Sequence, residues 1–201
     1  MNSMKIGILG GTFDPPHVGH LIVASQIKER MKFDQLWLMP VASHAFDKKL
    51  SAAEHRLEMA NIVSFDSIIA SNYEIKLGGV SSTYHTMKYL RNERPDDTFY
   101  FCMGSDLLTD FHKWNDWQDL VAENNFVIYP RGRDFENLEQ KVQVIMGKDH
   151  ISQISVIEGQ DVVITNVSST LVRNRLKQNQ SVKYLVPEAI ISYITTHKLY
   201  K

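Results

Sequence analysis

Gly7 to His20 reads GILGGTFDPPHVGH, and the fold is decided there. Ile6, Ile8 and Leu9 form an apolar, strand-like run that empties into Gly10 and Gly11. Two prolines follow, then His17 and His20 on either side of Gly19. A buried strand that leaves through glycines and re-enters as a helix is the opening unit of a doubly wound α/β sheet. In such sheets ligands bind at the carboxyl ends of the strands. Gly10 to His20 would be the first of those binding loops.

The rest of the chain alternates in the same way. Leu21 to Met31 carries Leu21, Ala24, Ile27 and Met31 at helical spacing. Asp34 to Val41 reads as a second strand. Ser51-Ala52-Ala53-Glu54 is a capping-box pattern that opens a helix through Ile62. Ser67 to Ala70 is a weaker strand, and Tyr84, Met87 and Leu90 share a helical face. Thr98 to Gly104 (TFYFCMG) and Phe126 to Arg131 (FVIYPR) are strands rich in aromatic and β-branched residues. Glu136 to Met146 reads as helix, Ile154 to Ile157 and Val162 to Ile164 as short strands, and Ser169 to Lys177 and Pro187 to His197 as closing helices. Strands alternating with helices imply a parallel sheet covered on both faces. The expectation is one α/β domain over residues 1–201, a doubly wound parallel sheet with a small helical C-terminal part.

Bulk properties narrow the function classes. A net charge of -1 among 201 residues offers no electrostatic case for a nucleic-acid or membrane partner. No apolar stretch approaches bilayer length, and the opening Met-Asn-Ser-Met-Lys lacks the apolar core of a secretory signal. The single cysteine, Cys102, excludes an internal disulfide and any multi-cysteine zinc site. These features together imply a cytoplasmic protein. They leave a homo-oligomer open.

Four ligand readings compete for the first loop. Gly7, Gly10 and Gly11 do not form the G-x-G-x-x-G of dinucleotide binders, and no Gly-Lys-Ser/Thr closes a phosphate loop. Further zinc ligands do not stand near His17 and His20. Phosphate recognition remains. Gly10 and Gly11 admit a bulky anion close to the backbone, and a helix opening near Val18 would present its N–H groups and dipole to it. His17 and His20, three apart, would donate to phosphate oxygens from one face of that turn. A second helix start, NVSSTLVR (Asn166 to Arg173), offers Ser168, Ser169 and Thr170 as caps or phosphate donors, with Arg173 one turn in.

GGTFDPPHVGH resembles the first signature of the nucleotidyltransferase superfamily that shares His-x-Gly-His with class I aminoacyl-tRNA synthetases. Its Gly-Gly-Thr-Phe-Asp-Pro is similar to that of the nicotinate or nicotinamide mononucleotide adenylyltransferases. Ser-Ser-Thr-x-x-Arg resembles the second signature, and Gly104-Ser105-Asp106 the family's Gly-x-Asp nucleotide contact. Trp114 in FHKWNDW stands where the family places an aromatic ring against pyridine, and Arg131 where an arginine lies near the mononucleotide. YLVPEAIISYITTHKLY is similar to the closing helix.

The resemblance implies a Rossmann-like nucleotidyltransferase that joins the AMP moiety of ATP to nicotinate mononucleotide and releases pyrophosphate, in NAD biosynthesis. Nicotinamide mononucleotide or phosphopantetheine as acceptor, and a non-catalytic nucleotide sensor, are the alternatives. By this resemblance His17, His20, Arg173 and Lys48 are catalytic. Gly10, Gly11, Thr12, Phe13, Gly104, Asp106, Ser168, Ser169 and Thr170 bind ATP. Thr83, Thr86, Trp114 and Arg131 bind the mononucleotide, and Mg²⁺ arrives on the ATP phosphates. There are two departures. Many bacterial members have Pro-Pro-His-Lys where this chain has ASHAFDKKL (Ala42 to Leu50), leaving His44, Lys48 and Lys49 as the available cations. Their Ser-Tyr-Thr is Ser81-Ser82-Thr83 here, which leaves open whether the acid or the amide is preferred.

Overall fold

A computed structural model describes residues 3–43, 50–79, 82–131 and 137–201. The chain runs β1 (Lys5–Gly11), α1 (Val18–Met31), β2 (Gln35–Pro40), α2 (Ala53–Ile62), β3 (Ile68–Ala70), α3 (Tyr73–Leu77), α4 (Thr83–Glu93) and β4 (Thr98–Gly104). A 3-10 helix, Ser105–Lys113, leads to α5 (Trp117–Glu123), β5 (Asn125–Tyr129) and α6 (Leu138–Met146). A second 3-10 helix, Lys148–Gln153, precedes β6 (Ile154–Val156), and α7 (Ser169–Lys177) and α8 (Glu188–Thr196) close the chain. All the strand pairs are parallel, in the order β3-β2-β1-β4-β5-β6. That is the doubly wound order of Rossmann-type sheets, with its switch point between β1 and β4.

The period-2 alternation of each strand divides the core in two. Leu9, Leu36, Leu38, Cys102, Val127 and Tyr129 face one side, with Ala24 and Ile27 of α1, Met59 and Ala60 of α2, Val172 of α7 and Ile190 and Ile194 of α8. Ile6, Ile8, Trp37, Met39, Phe99, Phe101, Met103, Phe126 and Ile128 face the other, against α4, α5, α6 and the first 3-10 helix. The C-terminal helices thus complete the first face of the sheet.

The register opens the site. β1 pairs with β2 up to Gly11↔Pro40 but with β4 only up to Leu9↔Cys102. Gly10 and Gly11 therefore lie beyond the β1–β4 ladder, at the mouth of the crevice.

Two local expectations fail for physical reasons. Val162 to Ile164 is not a strand. The Val163 N–H donates to Gln26 Oε1 (2.8 Å), and its carbonyl accepts from Gln26 Nε2 and the Tyr129 hydroxyl. Side chains take the bonds a neighbouring strand would have made. Nor does Ser51 cap α2. The N-cap is Ala52, without a side-chain cap, and Ser51 instead gives its carbonyl to Arg56 Nε at 3.0 Å.

Because Ile190 is fully buried in the first core face, Ile190→Ala should cost ~2–5 kcal/mol. Urea unfolding followed by both far-UV CD and tryptophan fluorescence should give one shared transition; a separate early transition would mean the C-terminal helices fold apart from the sheet.

Candidate active site

The first loop is built around stacked imidazoles. His17 is the N-cap of α1 in extended conformation, and its ring centroid lies 3.8 Å from that of His20, with 29° between the planes. The His17 N–H donates to His20 Nδ1 (3.2 Å). That bond leaves the proton of a neutral His20 on Nε2, ready to be donated. The His20 N–H goes to the His17 carbonyl (2.9 Å), and His17 Nδ1 is buried with no partner among the described residues. Gly19 is a steric necessity: a Cβ there would lie 2.9 Å from His17 Nδ1 and Cε1 and 3.2 Å from Thr165 Cγ2. Only glycine lets the histidine ring and the approach to the second signature close on α1.

Both histidines are kept neutral. His17 is 3% exposed, and burial, with a lesser push from the Arg131 charge, lowers its pKa to about 4. His20 lies well below its ordinary value, first from burial, then from His17 and Arg131. Arg131 therefore projects its charge onto the pair from the end of β5.

The other predicted residues fall around this pair. Gly10 packs on Phe101, whose ring a Cβ would meet at 3.2 Å; Trp114 lies edge-on to Phe101 (6.0 Å) and against Phe111 (5.2 Å). Trp114 is half-buried, while Trp117 rests on Phe111. At Gly104 a Cβ would lie 2.3 Å from Asp106 Oδ1. Asp106 meets Arg131 at 3.7 Å, and Ser105 Oγ accepts the Arg131 N–H at 2.9 Å. The loops after β4 and β5 are thereby joined. Thr83 opens α4, and Thr86 is buried one turn in, its N–H on the Ser82 carbonyl (3.0 Å).

The second signature is stitched to the first. Ser168 caps α7 by accepting the Leu171 N–H (3.1 Å). Ser169 Oγ donates to the Pro15 carbonyl (2.9 Å), and Arg173 donates to the Asp14 carbonyl (2.6 Å) and to Thr170 Oγ1 (3.1 Å). The hydroxyls and guanidinium expected to hold phosphate thus also hold the loop that presents the histidines.

Two expectations change, and a third falls outside what the structure describes. Phe13 is a core residue with its ring fully buried at φ 49°, so only its backbone is left for a nucleotide. The first N–H of α1 is not open to an anion: Val18 donates to the Leu185 carbonyl (3.0 Å). Lys48, with His44 and Lys49, lies outside the described residues.

One residue was missed. Arg56, 2% exposed, donates to the carbonyls of Ser51 (3.0 Å), Thr12 (3.3 Å), Val41 (2.6 Å) and Ala42 (3.0 Å). It binds the exits of β1 and β2 to the start of α2. In sequence it is one arginine on a helix; its burial among four backbone carbonyls and the Asp14 carboxylate is visible only in space.

This fold and this site define a nucleotidyltransferase of the His-x-Gly-His class. Residues 8–175 match the family model described as Cytidylyltransferase-like. A Lactiplantibacillus plantarum protein named "Probable nicotinate-nucleotide adenylyltransferase" is 37% identical, covering 98% of this chain and 88% of the relative. A Clostridium botulinum protein of the same name is 35% identical, covering 98% of each. Among solved structures, Plasmodium falciparum nicotinic acid mononucleotide adenylyltransferase complexed with NaAD superposes with a TM-score of 0.78 at 26% identity, over 98% of this chain and 97% of the other. The chain belongs to the cytidylyltransferase-like family, among its nicotinate-nucleotide adenylyltransferases.

The neutral histidines make stability depend on pH. A folded pKa of about 4 for His17, against 6.5 ordinarily, means that the unfolded chain binds the extra proton between those values. Stability is complete above about pH 6.5 and is lost as pH falls toward 4, by about 3 kcal/mol for this group. Urea midpoints at pH 7 and pH 4 should therefore lie closer together in His17→Asn than in wild type; an equal separation would contradict the assignment.

Proposed function

We propose that the protein transfers the adenylyl group of ATP to nicotinate mononucleotide, giving nicotinate adenine dinucleotide and pyrophosphate. The observation that carries this reading is the direct bonding of the second signature to the first loop, through Ser169 to Pro15 and Arg173 to Asp14. It gathers imidazole, hydroxyl and guanidinium donors from both ends of the chain beside the β1/β4 switch point.

The chemistry asks for little else. The attacking 5′-phosphate of the mononucleotide is already anionic, since the second pKa of a phosphate monoester is about 6. No general base is needed, and His20 is not set up as one, because its Nδ1 is already occupied and Nε2 carries the proton. Catalysis comes from holding two polyanions in line and meeting charge on the equatorial and leaving oxygens. In this reading His20 Nε2–H and His17 donate to the phosphates of ATP, with Arg173 and the opening N–H groups of α7 alongside. Gly10, Gly11 and the Thr12 and Phe13 backbones line the approach, and Gly104 and Asp106 contact the nucleotide.

Mg²⁺ would enter on the ATP phosphates. Among the described residues no group of three or more His, Cys, Asp or Glu side chains could hold a metal ion. Such an ion would keep most of its waters and take substrate oxygens. When bound it neutralises part of the phosphate charge. Lys48, just after β2, is proposed as a further cation.

The mononucleotide would lie against Trp114, which is half-buried, with Arg131 near its phosphate and Thr83 and Thr86 at the start of α4. The acid is favoured over the amide at that point. Ser82, the N-cap of α4, makes no cap bond, and its Oγ is buried with no partner among the described residues; a helix N-terminus stabilises a carboxylate. No helix of the described residues is long and apolar enough to cross a membrane, and the lone cysteine accords with the cytoplasm.

His20→Ala removes one preorganised donor and should lower pyrophosphate release ~10²–10³-fold with an unchanged CD spectrum. Turnover at the wild-type rate in the folded variant would remove His20 from the mechanism.

A further inference from the structure

Residues on either side of α8 hold the first loop and the start of α1 at two points. The Leu185 carbonyl takes the Val18 N–H (3.0 Å). Tyr200, the penultimate residue, donates its hydroxyl to Asp14 Oδ1 at 2.6 Å. His17 lies between these two anchors.

Asp14 is the hub of this arrangement. It is 1% exposed, and a carboxylate so buried needs donors on both oxygens. Tyr200 serves one oxygen and the Ser51 N–H the other, at 3.3 Å. The Arg56 charge compensates it electrostatically. The backbone carbonyl of the same residue accepts from Arg173. A shift of Asp14 therefore moves Arg173 and the loop leading to His17 together. Other groups face the hydroxyl as well: Met59 Sδ is 3.9 Å away, the Ser51 side chain bonds it and the Arg173 charge acts on it. Burial first, then the Asp14 carboxylate, pushes the phenol's pKa up against those two, so it stays a donor.

We infer that Tyr200 is a positioning residue for adenylyl transfer, its hydroxyl fixing the Asp14 carboxylate and, through the Asp14 backbone, the Arg173 guanidinium and the histidine pair. This rests on the function proposed above. By this inference the residue acts through the loop, where loss of its hydroxyl would leave one oxygen of a buried charge without its donor. A displacement of about 1 Å near reacting groups can cost ~10²-fold in rate.

The test is Tyr200→Phe, which keeps the ring and removes only the hydroxyl, with Lys201→Ala as a control. Pyrophosphate release with Mg²⁺-ATP and nicotinate mononucleotide gives kcat and both KM values. Histidine-selective ¹H–¹⁵N spectra, recorded without substrates, report the His17 and His20 rings independently of activity. The inference expects kcat to fall ~10- to 100-fold, KM for the mononucleotide to stay within about twofold, and the His17 and His20 resonances to shift while Lys201→Ala matches wild type. Unshifted ring resonances, or a kcat within about twofold of wild type, would overturn it. Should Tyr200→Phe not fold, Asp14→Asn, which keeps the side-chain shape, is read against the same limits. If wild type itself released no pyrophosphate, the adenylyl-transfer reading would fail, while the ring spectra would still decide whether Tyr200 positions the loop.

Discussion

The site depends on the bond between the Arg173 guanidinium and the Asp14 carbonyl, two residues 159 positions apart. The loop from Thr12 to His17 has left the sheet and not yet entered α1, so no ladder fixes it. Its conformation is costly on its own, with Phe13 at φ 49°, a region disfavoured for a bulky side chain. Burial of the Phe13 ring on one side and donors from α7 on the other hold it there. Hydrogen bonds from charged groups contribute about 1.5–3 kcal/mol each. That is the range needed to hold one strained residue.

With the loop fixed, the electrostatics follow. Two stacked imidazoles cannot both be charged, and burial together with Arg131 keeps them neutral. His20, a neutral ring whose Nδ1 is held by a backbone N–H, is a donor of fixed direction, the kind of group that can stabilise developing charge. Arg131, joined to the loop after β4 by Ser105 and Asp106, supplies positive charge without being part of the stack. Burial and charge thus act in one direction on the histidines and prepare them for an anion.

Much of this was legible in the sequence because it is local. β4 and α7 run over the residues that their apolar runs and cap hydroxyls indicate, and the glycine exit of β1 marks where the chain leaves the sheet ahead of α1. What escaped was short or long-range. Tyr73–Leu77 and Trp117–Glu123 are too short to show a helical period. Val162 to Ile164 has strand-forming residues, yet Gln26 and Tyr129 occupy its backbone. The role of Arg56 depends on carbonyls from three separate segments, and that of Tyr200 on a carboxylate 186 positions away. A motif names the groups that meet the substrate; the groups that hold the motif still are set by the fold.

The most direct measurement is pyrophosphate release by the wild-type protein with Mg²⁺ and ATP, offering nicotinate mononucleotide, nicotinamide mononucleotide and phosphopantetheine in separate reactions. The account predicts that the nicotinate acceptor turns over fastest, with the carboxylate met at the Ser82 start of α4. Preference for phosphopantetheine, or no release with any of the three, would contradict it.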